Sequence, residues 1–230
     1  MRRWWLLLLV ATAAQAAPLT IPMETLSATN QRLVRAVLTH CTLHQQPPPR
    51  KFTGRLEDFI FLLDTPGACA VLADQCELVS YRPVITPEGR LIATNQQGAV
   101  GWLELIDCRP TRRVYYIEGA QSGAFTARGQ GVVVVNFRQI GPTELEYTGD
   151  LFVRLDNPVA AVLMHLFIAF VRRAVDKSFT EVMNLPVGLT QLALDQPALL
   201  RSVIQQVPVE DYKRLLPLDQ QLAEQATAAQ

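Results

Sequence analysis

The sequence predicts an α+β protein in which an antiparallel sheet is covered by one long C-terminal helix, and three observations carry that prediction. From Cys76 onward apolar residues alternate with polar ones, the period of strands. The alternating runs are separated by short turn-forming segments, which favours an antiparallel meander. From Asp156 to Leu185 the period changes to that of a helix, with Asp156 or Asn157 to cap it, Pro158 at its first turn and Pro186 as its expected stop. Such a helix is about 40 Å long if straight.

The chain has 230 residues. It begins with Arg2 and Arg3, an apolar run from Trp4 to Val10 and the small-residue site Ala14-Gln15-Ala16, the layout of a Sec-type signal peptide cleaved near Ala16. A periplasmic or secreted protein is therefore expected, with residues 1–16 as signal peptide. The remainder carries 19 basic and 21 acidic side chains, a net of about −2. That balance argues against nucleic acid as a partner, since phosphate binding needs clustered Lys and Arg.

Residues 17–54 read as a leader, a first amphipathic helix from Ser27 to His40 and an edge strand broken by Pro47-Pro48-Pro49. Leu56 to Leu63 and Gly67 to Gln75 form two short helices joined at Asp64-Thr65-Pro66-Gly67. Strands follow at about 77–85, 90–96, 100–108, 113–118, 131–140 and 144–155, with Gly119 to Gly129 among the separators. Val133, Val135 and Phe137 share one face, and Leu145, Tyr147, Leu151, Val153 and Leu155 lie opposite Glu144, Glu146, Asp150 and Arg154. One face is thus expected to be apolar and the other wet, with the long helix on the apolar one. Residues 186–230 are expected to form short helices broken at Pro208 and Pro217, ending in a flexible Ala-Gln-rich tail.

This order of elements resembles the START-like superfamily, also called SRPBCC or helix-grip, across roughly Cys41 to Leu185. The resemblance rests on Leu56-Glu57-Asp58-Phe59-Ile60-Phe61-Leu62-Leu63-Asp64-Thr65-Pro66, which is similar to the family's first small helix and corner. It rests also on Gly98-Ala99-Val100-Gly101-Trp102, on Arg112-Arg113-Val114-Tyr115-Tyr116 and on the long closing helix. It implies a curved antiparallel sheet gripping the C-terminal helix, with the domain at 55–185 and a beginning as early as Cys41. It also implies a cavity for an apolar ligand between sheet and helix.

The candidate ligand-binding residues are Leu103, Leu105, Tyr115, Ile117, Val133, Val135, Phe137, Leu145, Tyr147, Leu151 and Val153 on the sheet, with Leu163, His165, Phe167 and Phe170 on the helix. Val159 to Val171 is apolar on nearly every side except at His165, so a second surface must cover it: another apolar layer, a ligand or a peripheral membrane contact. Thirteen such residues are too few to span a bilayer, which takes about 20. His165 is either a packed, hydrogen-bonded histidine or a group that orients a ligand.

No catalytic signature is present, and no metal or cofactor is expected. His40, Cys41 and His44 lack a third ligand nearby, and the glycine clusters lack the strand-loop-helix setting of a phosphate cradle. Cys41, Cys69, Cys76 and Cys108 leave the disulfide pairing open, with a Cys69 to Cys76 bridge or free buried thiols as the main alternatives. The expected function is an exported carrier of a hydrophobic small molecule or lipid. A cyclase- or hydrolase-type enzyme on the same fold is the alternative, and an envelope interaction protein without a cavity is the third reading.

Overall fold

A computed structural model describes residue 21 and residues 23–78, 81–86, 90–95, 99–121, 127–157 and 168–228. After a single 3-10 turn at Met23–Thr25 come α1 (Ala28–Thr39), β1 (Leu43–Gln45) and β2 (Arg50–Thr53), then α2 (Leu56–Asp64) and α3 (Pro66–Gln75). Six strands follow: β3 (Tyr81–Ile85), β4 (Leu91–Asn95), β5 (Ala99–Arg109), β6 (Arg112–Gln121), β7 (Ala127–Gln139) and β8 (Glu144–Leu155). Three helices end the chain: α4 (Ile168–Asp195), α5 (Pro197–Ile204) and α6 (Val209–Ala228).

The strands form one open antiparallel sheet in the order β1-β8-β7-β6-β5-β4-β3, with β2 also paired to β8. The proline run separates β1 from β2, so the two pieces take successive stretches of the same edge, as a polyproline bend requires. Gly119 to Gly129 is not one loop. Gly119 pairs with Gly129, and the strands extend to Gln121 and from Ala127, because flanking residues that lack strong β preference still complete a ladder.

The inner face of the sheet carries α4. Phe179 and Met183 pack with Tyr115, Val135, Phe137, Leu145, Tyr147 and Leu151, together with Phe59 and Leu63 of α2. The outer face is not wet as expected. Val114, Tyr116, Val132, Val134 and Phe152 alternate with the inner set and are buried under Val34 and Val37 of α1. On β7 the run Val132 to Val135 is apolar at every position, so it feeds both faces, and with Val114 and Tyr116 of β6 and Phe152 of β8 it makes a second apolar patch under α1. Asp150 on that face is only 6% exposed. It accepts from His44 Nε2 at 3.0 Å, while the His44 ring stacks on Phe152 at 4.4 Å, so His44 is held in a packed hydrogen-bonded contact. Among the described residues no group of three or more His, Cys, Asp or Glu is arranged to hold a metal ion.

Pro186 does not end the long helix. α4 continues to Asp195 with Pro186 inside it, and the expected stretch before Ile168 lies outside the described residues. Proline removes one ladder bond and crowds the preceding turn. Burial of Leu185, Leu189 and Ala193 in a core with Leu62, Leu72, Leu200, Leu215, Leu218 and Leu222 offsets that loss. Thr190 Oγ1 donates to Pro186 O at 2.6 Å. The same core corrects the view of the C-terminus: α6 passes through Pro217 and stays helical to Ala228 because Leu215, Leu218 and Leu222 bury one stripe. All four cysteines are free thiols, so no Cys69 to Cys76 bridge forms; α3 carries Cys69 into the core while Cys76 caps its end.

Candidate functional site: an apolar cavity between sheet and helix

The inner face divides into two halves of different chemistry. Towards β2 and the start of β8 it is filled by rings: Phe52 and Phe59 lie 4.8 Å apart between centroids, Phe59 and Phe137 5.7 Å, and Tyr147 and Phe179 6.3 Å. Towards β4 and the ends of β6 and β8 the inward positions are aliphatic and shorter. There the facing layers do not meet, and a cavity of about 460 Å³ remains. That volume falls within the range of small-molecule sites, roughly 300–1,000 Å³.

Four elements bound it among the described residues. The sheet supplies Leu91, Leu103, Tyr115, Ile117, Val133, Val135, Leu151 and Val153. The α2–α3 corner supplies Leu62, Leu63, Pro66, Cys69 and Ala70. α4 supplies Val175, Ser178, Phe179, Val182, Met183, Leu185 and Pro186. Val182 is 49% exposed and marks the rim.

Local chemistry fixes each wall. Thr65 Oγ1 donates to Phe61 O at 2.7 Å where α2 ends, and Pro66 starts α3 at a position that needs no amide donor. The α2–α3 corner is tied to the sheet by Arg113, 4% exposed, whose guanidinium grips Asp64 through Nε and, at 3.0 Å, through Nη2. Arg113 also lies 5.3 Å over the Phe137 ring. On the other side, Gly149 admits Phe179 to the sheet surface: a Cβ there would lie 2.4 Å from Phe179 Cζ.

The polar atoms of the described wall are already committed or neutral. Tyr115 OH donates to Leu63 O at 2.7 Å, so the ring presents its face to the cavity while its hydroxyl serves the corner. Burial raises its pKa well above 10. Burial likewise pushes the Cys69 thiol up to about 12. Both stay neutral across the physiological range, and Ser178 is the remaining hydroxyl on the wall.

Of the residues expected to line a site, Leu103, Tyr115, Ile117, Val133, Val135, Leu151 and Val153 do face the cavity. Leu105, Phe137, Leu145 and Tyr147 do not; they pack in the aromatic half, where helix and sheet are in contact. Leu163, His165 and Phe167 lie outside the described residues, as does the side chain of Phe170. The walls from α2, α3 and the middle of α4 were missed, because helical periodicity shows which face is buried and not whether the neighbour touches it.

An uninterrupted antiparallel meander, two short helices between its first edge strand and its second, and a long helix laid across the inner face are now all in place. This is a helix-grip α+β fold. Within it, α1 on the outer face and α5–α6 beyond the closing helix are additions. No described protein family matches the sequence, and no curated protein is significantly similar to it. Solved structures similar to the chain include norcoclaurine synthase from Thalictrum flavum, at TM-score 0.45 and 11% identity over 70% of this chain and 92% of that one. A conserved protein from Geobacillus kaustophilus matches at TM-score 0.44 and 15% identity, over 63% and 95% of the two chains. The di-domain ARO/CYC BexL matches at TM-score 0.42 and 18% identity, over 70% of this chain and 56% of its own.

Proposed function

We propose that this protein is an exported carrier which holds a hydrophobic small molecule or lipid between its sheet and α4. The observation that supports this reading is the apolar cavity of about 460 Å³. Removing apolar ligand surface from water there contributes about 25 cal/mol per Å². The committed hydroxyl of Tyr115 and the raised thiol of Cys69 favour binding over acid–base chemistry on the described wall. Export rests on the basic, apolar and small-residue order of residues 1–16.

The test is native mass spectrometry of the mature protein recovered from its own compartment, followed by organic extraction and mass analysis of what is released. A stoichiometric apolar passenger is expected. Val182→Asp places a charge at the half-exposed rim and Val133→Trp fills the floor; both are expected to abolish loading, while Glu146→Ala on the outer face leaves it intact. Equal loading of all four proteins would refute the site.

A further inference from the structure

Away from the cavity, α2 and α6 bury three polar side chains whose oxygens lack partners. Asp58 on α2 is fully excluded from solvent at 0% exposure, and neither carboxyl oxygen has a hydrogen-bond partner. The carboxamide oxygens of Gln221 and Gln225 are also buried and unpartnered. These glutamines are one turn apart on α6 and share a face. Gln225 is near enough to act on the Asp58 carboxyl as a donor, though no bond of normal geometry forms.

Three buried acceptor groups without a donor are each costly, on the order of 1–3 kcal/mol per unsatisfied group. One proton resolves two of them. A neutral carboxylic acid donates its O–H to a carboxamide oxygen and accepts the carboxamide N–H on its other oxygen. An ionised carboxylate can only accept, leaving the glutamine oxygen stranded.

The charged groups acting on Asp58 are Glu57 of its own helix and Arg55 at the N-cap of that helix, in opposite directions. α6 brings the neutral carboxamides. The other helices packed on α2 bury Leu72 and Ala73 of α3 and Leu189 and Ala193 of α4 in the adjoining core, and the hydroxyl of Thr190 is given to Pro186. Burial first, then Glu57, raises the Asp58 pKa from 3.8 to about 6.

We infer that Asp58 is a proton-binding site: as the neutral acid it pairs with the carboxamide of Gln225 through two hydrogen bonds and latches α6 onto α2. The latch controls more than the chain end. Leu215, Leu218 and Leu222 of α6 pack in one core with Cys69 and Leu72 of α3, and Cys69 and Ala70 of α3 form cavity wall. A loosened α6 therefore relaxes the support of that wall.

The sign follows from linkage. The folded state holds the proton more tightly than the unfolded chain, so the contribution is full below pH 3.8, is lost as pH rises from about 4 to 6, and is absent above. Hydrogen exchange of the full chain, corrected for intrinsic rates, reads the latch without any ligand. Protection of residues 209–228 is expected to fall by roughly 25-fold between pH 4.5 and 7.5, while the β7–β8 amides hold. Asp58→Asn keeps the two-bond pair without titrating; its α6 protection is expected to be independent of pH, and its Tm at pH 7.5 to exceed that of the wild type. Flat α6 protection in the wild type, or an Asp58→Asn protein less stable than wild type at pH 7.5, would overturn the inference.

Discussion

Replacing Gly149 by alanine tests how closely the sheet grips its helix. Gly149 pairs with Val135 in the β7–β8 ladder and has no left-handed backbone, so alanine fits its conformation. On backbone grounds alone the change stabilises by about 0.4–1 kcal/mol, because the unfolded chain loses freedom. The contact reverses the sign. The new methyl would lie 2.4 Å from Phe179 Cζ and 2.8 Å from Cε1, whereas ordinary contact begins at 3.4 Å, so the ring must recede by about 1 Å. Phe179 is 7% exposed, with Tyr147 on one side and the cavity on the other, and its retreat either lifts α4 or turns the ring into the cavity. Overpacking of this kind costs about 1–3 kcal/mol. For a chain of this length that lowers Tm by roughly 4–8 °C at the middle of the range. Urea denaturation followed by circular dichroism measures the loss. Phe179→Leu in the same background frees the space, so the double mutant is expected to recover at least about 1 kcal/mol relative to additivity. A Gly149→Ala protein as stable as wild type, or strictly additive effects, would refute the close-approach argument.

Two further predictions separate structural from functional groups on the cavity wall. Tyr115→Phe leaves Leu63 O buried without its donor and is expected to destabilise by about 1–3 kcal/mol in thermal or urea melts. Loading with apolar ligand is expected to be unchanged, and a loss of loading at full stability would assign the hydroxyl to the ligand instead. With its thiol raised to about 12, Cys69 is thiolate in only about 1 molecule in 10,000 at pH 8. Iodoacetamide on the folded protein, mapped by peptide mass spectrometry, is therefore expected to reach exposed Cys108 first and Cys69 last. Comparable rates at the two would show that the wall is open to solvent.

The sequence by itself determined the elements that obey a period or a turn rule. The alternation in Val133, Val135 and Phe137 and in Leu145, Tyr147, Leu151 and Val153 placed β7 and β8 and chose their inner face, since a strand has two faces and side chains must alternate between them. Asp64-Thr65-Pro66-Gly67 placed the α2–α3 corner for similarly local reasons. Tertiary structure decided whatever depended on a distant partner. Pro186 and Pro217 read as helix stops because proline opposes a helix locally, yet α4 and α6 run through them because Leu189, Ala193, Leu218 and Leu222 have a common core to enter. Asp58 stood in the sequence only as part of the stretch Leu56 to Pro66, and its complete burial is set by how the helices pack together. The cavity belongs to the same class. Residues such as Val133 and Phe137 look equivalent in sequence, but the volume left between two layers depends on the side chains that each meets across the gap, and those are brought together only by the fold.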